Sequence, residues 1–188
     1  QALGGKIAFL TTEQIVALEN GDLASLANTQ IRDLTTAQIA SIETQDIKSL
    51  SVTQIRIWST EQLAALTTDQ IVALDDGDVA SLTTASLANL LTDQVRALET
   101  QDVKALSSLQ IQAFVTEQLA ALTTDQVRAI DAADFVGFDT LRIPALTTDA
   151  VAALSAGQIQ KILPTNLPAF TTDQVVAMRS EEHTSELQ

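Results

Sequence analysis

Asp75, Asp76 and Asp78 surround Gly77 in the run DDGD, and three carboxylates beside a glycine are the oxygen-rich chemistry that can hold calcium. The spacing matches neither the EF-hand loop nor the glycine-rich calcium nonapeptide. The related run ENGD at residues 19–22 has fewer carboxylates. An acid-rich helix cap in a tight bend accounts for the same residues, so calcium is a secondary expectation at Asp75, Asp76 and Asp78. Other reactive types are scarce. The sequence has no Cys and no Tyr, and its one His, His183, lies in the last ten residues. Without His183, nucleophile–base triads and ordinary zinc sites are out of reach. Gly4, Gly5, Gly21, Gly77 and Gly157 do not form a phosphate loop. The residues therefore predict no catalytic residue, no cofactor and no enzyme.

What must position these residues is a repeat. From Thr11 to Met178 the chain divides into 21 blocks of eight residues without insertion or deletion, as in TTEQIVAL at Thr11 and TTDQIVAL at Thr67. Position 5 is Ile, Leu, Val or Phe throughout, and position 8 is Leu, Ile, Phe, Trp or Met. Position 7 is usually Ala or Ser, and position 4 is mostly Gln with Asp as its main substitute. Residues 3–10 fit the same frame, with Ile7 and Leu10 in the apolar slots.

One continuous helix is excluded, because eight residues overshoot two helical turns by about 80° and the apolar stripe would wind around the rod. Each octad is its own helical unit. Positions 5 and 8 are three apart, a helical neighbour relation. Thr-x-x-Gln is a capping box, with Thr67 as N-cap and Gln70 at N3, and Pro164 falls at N1. Charge is sorted as well: before residue 179, 20 of 21 acids lie at positions 1 to 4, and seven of nine bases lie at positions 6 or 7. That order suits the dipoles of many short helices in series. Pro144 and Pro168 fall at position 6, inside the proposed helix, and predict distorted or 3₁₀ octads there. Positions 1, 3 and 6 are the exposed, variable ones. The predicted fold is all-α, a solenoid of short helices, one per octad, in which neighbours supply the stability that no octad has alone.

A second period lies above the first. Residues 11–66 align with 67–122 and more faintly with 123–178, so residues 1–178 read as one solenoid containing three 56-residue blocks. Trp58, Phe114 and Phe170 recur at this spacing at position 8, as do Asp22, Asp78 and Asp134 at position 4. The formal net charge of −14 argues against nucleic acid and anionic membranes as partners. No apolar run is long enough for membrane insertion.

The strings LTTDQIVAL, LLTDQVRAL and VTEQLAALTTDQVRAI resemble the octapeptide arrays of very large bacterial surface or secreted proteins. The resemblance covers nearly all of residues 3–178. It implies a spacer or stalk joined to neighbouring domains of a longer chain, at the cell surface or outside the cell, with end-to-end self-association as a further expectation. A protein- or glycan-binding solenoid and a calcium-dependent secreted module are the alternatives. Residues 179–188, RSEEHTSELQ, put His183 and Glu186 into the two apolar slots. They resemble the translation of a sequencing adapter and are expected to be a non-native tail.

Overall fold

The computed structural model describes residues 6–18 and 20–185, which form an all-α solenoid of short helices, one to each octad from residue 11 onward. Octad 67–74 shows how the sequence makes the unit. Thr67 is extended (φ −72°, ψ 162°), and its hydroxyl accepts the backbone N–H of Gln70. The helix Thr68–Val72 follows, and Ile71 N–H donates to the Thr67 carbonyl at 3.0 Å. Leu74 N–H closes the end on the Ile71 carbonyl at 3.1 Å.

Where the C-cap falls on position 8 it is extended too, as at Leu82 (φ −63°, ψ 144°). Two successive extended residues, position 8 and the next position 1, thus redirect the chain with negative φ throughout. That is why an array of so many bends needs only six glycines.

Position 5 is the core. Ile31, Ile39, Ile47, Ile55, Val95 and Val127 are fully buried, and most of position 8 is nearly so; in the last three octads Ile159 is half-buried and Leu167 and Val175 are exposed. Burying two such side chains contributes roughly 3–6 kcal/mol. A helix of five or six residues is far too short to stand alone, so each depends on helices from other turns.

The chain falls into two compact units, Gln1–Leu98 and Glu99–Gln188. In the first, Thr12–Val16 packs on Thr36–Ser41, Asn20–Ala24 on Thr44–Ile47, Val52–Arg56 on Asp76–Ser81, and Thr68–Val72 on Thr92–Ala97. In the second, Thr100–Ala105 packs on Thr124–Ala129, Ala132–Gly137 on Ala156–Lys161, and Thr148–Ala152 on Thr172–Ser185. Every one of these pairs is three octads apart.

Bases near helix ends are partly paired within their own octad. Arg128 lies 3.4 Å from Asp125 and Arg96 lies 3.9 Å from Asp93, all largely exposed. Such pairs are worth little, so the sorting of charge suits the helix dipoles more than these pairs.

The third block is irregular, as its prolines predict, but not only where they predict. Leu167–Ala169 is a 3₁₀ helix containing Pro168, whose missing N–H removes an α-helical bond. Arg142–Ala145, containing Pro144, is a single α-turn. Pro164 is not at a helix N1. It lies in a turn over residues 164–166, closed by Asn166 N–H on the Leu163 carbonyl at 2.8 Å, and the helix begins only at Leu167.

Ala132–Gly137 is 3₁₀ without any proline. Its core is Phe135 stacked on Phe138 with ring centroids 4.5 Å apart. A Cβ at Gly137 would fall 2.3 Å from Nε2 and 2.5 Å from Cγ of Gln112, three octads back. Gly137→Ala is therefore expected to destabilise by about 1–2 kcal/mol, within the cost of overpacking. Adding Gln112→Ala should restore most of the loss in a thermal melt; an unchanged deficit would show that the contact is not the cause.

Trp58 is buried, and its indole N–H has no partner. Phe at the same position in the other blocks has no such group, so Trp58→Phe should be neutral or raise Tm slightly. A fall of several degrees in a melt would contradict this. The last helix, Thr172–Ser185, continues past Met178, while the side chain of His183 lies outside the described residues.

Candidate functional site

Position 4 carries the main chemistry of the fold. In octad 67–74 the Gln70 Oε1 accepts the Thr67 N–H at 2.8 Å, completing the capping box. The same side chain is buried, and its Nε2 donates to the carbonyls of Ile39 at 2.8 Å and Ile42 at 2.7 Å, four octads back. Those are positions 5 and 8 of the earlier octad, at the C-terminal end of its helix, where carbonyls lack helical partners. One amide therefore caps the N-terminus of its own helix and the C-terminus of another.

The pattern repeats. Gln38 reaches Ile7 and Leu10, and Gln94 reaches Leu63 and Leu66. Gln62 reaches Ile31 and Leu34, and Gln54 the nearby carbonyls of Ala24 and Leu26. In the second unit Gln158 reaches Val127 and Ile130, and Gln174 reaches Ile143 and Leu146. Helices touch at three octads and amides bond at four, so within each unit one turn takes between three and four octads.

Two of the substitutes preserve the link. Arg142 at position 4 donates to the Gln112 carbonyl at 2.6 Å, and Asn166 donates to the Phe138 carbonyl at 3.1 Å. Arg142 is held in turn by Asp139 at 2.6 Å. Burial raises the Asp139 pKa, but the N–H groups of Arg142 and Leu141 and the guanidinium outweigh it and hold that carboxyl below its ordinary value. Where the N-cap hydroxyl is missing, the glutamine half of the box persists, as in Leu91 N–H to Gln94 Oε1 at 2.8 Å.

The amide's inward bonds are what capping alone does not foresee. Their signal in the sequence is the absence of Glu from position 4 in all 21 octads, although position 3 accepts Glu13, Glu61 and Glu117. A capping box admits Glu or Gln, and a helix N-terminus favours the charge. The inward bonds account for its exclusion: a Glu would place a carboxylate oxygen where the amide Nε2 donates.

Aspartate at position 4 can keep the capping half: Asp102 Oδ2 accepts the Glu99 N–H at 2.8 Å, as Gln Oε1 does elsewhere. At Asp46, which is 2% exposed, Oδ1 has no partner. At Asp134 the Ser108 hydroxyl donates to Oδ1. Burial, then Glu43, pushes the Asp46 carboxyl up; burial also raises Asp78, against a lowering bond from the Asp75 N–H.

The calcium candidates use their oxygens locally. Asp75 Oδ1 accepts the Asp78 N–H at 2.8 Å, Asp78 accepts the Asp75 N–H at 3.3 Å, and Asp76 accepts the Gly77 N–H at 3.0 Å. Asp78 is buried while Asp75 and Asp76 are exposed. Among the described residues no group of three acidic, His or Cys side chains is placed to hold a metal. The expected outcome of a calcium titration is an unchanged Tm; a rise with calcium that EDTA reverses would restore the metal reading.

The geometry defines a repeat, and comparison places its type. Residues 39–76 and 95–129 match the model of the ALTTAQ repeat. The two segments carry the same octad frame as the flanking residues, so the chain is a repeat protein similar to that family in its unit. No curated protein matches the chain. Among the described residues no helix is long and apolar enough to cross a membrane.

Proposed function

We propose that this repeat module is a non-enzymatic spacer or stalk of a larger bacterial surface or secreted protein, joined to neighbouring domains and able to associate end to end. The observation that carries the reading is the buried amide at position 4. The most regular chemistry of the chain is spent on holding one turn to the next, and the variable positions 1, 3 and 6 face outward without a concentrated reactive group. The resemblance to octapeptide arrays supports the bacterial and extracellular setting.

A spacer tolerates changes in repeat number, because each turn depends only on its neighbours. Deleting residues 67–122 joins Leu66 to Thr123 and keeps the octad frame. The shortened chain is expected to unfold cooperatively, with the same helical circular-dichroism signal per residue. Loss of helicity per residue would contradict a modular spacer.

One observation favours the binding alternative. Lys104, Arg128, Ser155 and Gln158 line a cleft of about 310 Å³ in the second unit of this acidic chain. Asp131 lines it too, and Arg128 is paired with Asp125. Binding of carboxylated or sulfated glycans, lost in Lys104→Glu/Arg128→Glu, would move the assignment to that reading.

A further inference from the structure

Position-4 aspartates fall at Asp22, Asp46, Asp78, Asp102 and Asp134, spaced 24, 32, 24 and 32 residues. These are alternately three and four octads. They are also the two spacings by which octads meet across a turn within each unit: three for helix contacts and four for amide bonds. The aspartates are thus not scattered replacements. Within a unit they recur once per turn, and Asp46, Asp78 and Asp134 stand where the amide ladder would otherwise continue.

At each interruption a glutamine Nε2–H₂ donor is replaced by a shorter carboxylate. For Asp46 the carbonyls in register are those of Ile15 and Leu18, and for Asp78 those of Ile47 and Leu50. The Asp46 Oδ1 left without a partner is a buried acceptor at the position from which Gln38, Gln54, Gln62, Gln70 and Gln94 donate. Asp134 shows the deficit met from within the chain, by the hydroxyl of Ser108. Ser108 is at position 2, three octads back. The equivalent residue for Asp78 is Val52, which has no donor.

We propose that Asp46 and Asp78 are proton-binding joints of the ladder: on acidification each carboxyl takes a proton and becomes the donor that glutamine supplies elsewhere, so the array tightens in acid and loosens toward neutral pH. The balance is simple, since the proton comes from solvent and no bond between heavy atoms changes. Asp46 lies in Thr44–Ile47, which packs on Asn20–Ala24, carrying Asp22, and on Thr68–Val72, carrying Asp69. Glu43 precedes it. Asp78 lies in Asp76–Ser81, which packs on Val52–Arg56, carrying Arg56, with Asp75 and Asp76 alongside. All of these neighbours are exposed, and all but Arg56 are anions, which favour the protonated form.

The direction of the pH effect follows from linkage. Burial raises both carboxyls in the folded chain. Their contribution to stability is therefore complete below the ordinary aspartate value of about 3.9 and is lost as pH rises through the higher folded-state values. This inference does not rest on the spacer reading.

The test uses the full chain and its Asp46→Gln, Asp78→Gln and double variants, melted from about pH 7.5 down to about pH 3.5, below the ordinary aspartate value. The double variant is expected to have a Tm about 4 °C or more above the wild type at neutral pH, with the gap closing by more than half at the acid end. A gap that stays constant with pH, or a variant less stable than wild type at neutral pH, overturns the proposal. A carboxyl-carbon NMR titration of the wild-type chain gives a second readout that needs no variant. Midpoints for Asp46 and Asp78 clearly above about 3.9 are expected, and midpoints at or below that value overturn it.

Discussion

Gln70→Glu, a change of one amide for one carboxylate, is expected to destabilise the chain by about 3–5 kcal/mol. By capping rules alone the substitution is harmless or helpful. The Oε1 that accepts the Thr67 N–H is retained, and a negative charge gains at a helix N-terminus. What is lost is the pair of bonds from Nε2 to the Ile39 and Ile42 carbonyls, replaced by an anionic oxygen facing two carbonyl oxygens in a dry setting. The Asp octads do not contradict this, because burial pushes the carboxyls of Asp46 and Asp78 up, toward the protonated form that can donate. A melt is the check, with Tm expected to fall by about 6 °C or more. Thr84→Glu, at an exposed first-turn position, is the control and should change stability by less than about 0.5 kcal/mol. Equal effects at the two sites would show that position 4 is an ordinary cap.

Phe135→Ala is the second large effect, at about 3–5 kcal/mol. Phe135 fills position 5 of an octad that is 3₁₀ throughout, so this turn has poorer backbone bonding than its neighbours. The ring is fully buried and stacks on Phe138. Ala132–Gly137 also packs on Ala156–Lys161 and on Ser108–Ile111, so the cavity would open between turns, where short helices have few other contacts. Phe135→Leu should recover more than half of the loss in urea unfolding. If Ala and Leu behave alike, the octad is not held by its aromatic pair.

The octad was legible in the sequence because its period, its apolar positions and its cap all agree. Thr67, Gln70, Ile71 and Leu74 stand where the frame puts them, as cap, N3 and core. The winding was not legible from any single octad, since it depends on bonds 28 and 31 residues apart. Two traces of it are nevertheless present: the exclusion of Glu from position 4, and the alternating 24- and 32-residue spacing of its aspartates. The 3₁₀ form of residues 132–137 has no proline to announce it; it comes with a close contact between Gly137 and Gln112 that only the packed turns reveal. Pro164 misled for a physical reason. It suits both a helix start and the second position of a turn, and Pro168 four residues on cannot donate the bond that would have made the helix.

Asp75, Asp76 and Asp78 form an acid-rich cap in which Asp75 and Asp78 each accept the other's N–H, with Asp78 buried and Asp75 and Asp76 exposed.

The central claim is that the position-4 amide joins one turn to another, and side-chain amide NMR tests it most directly. The Nε2 protons of Gln70 and Gln94 should show nuclear Overhauser contacts to residues 39–42 and 63–66 respectively, and should exchange slowly with solvent. Those of Gln45 and Gln101, exposed at position 3, should exchange fast. Fast exchange at Gln70 and Gln94, with no contact to a residue four octads away, would contradict the account.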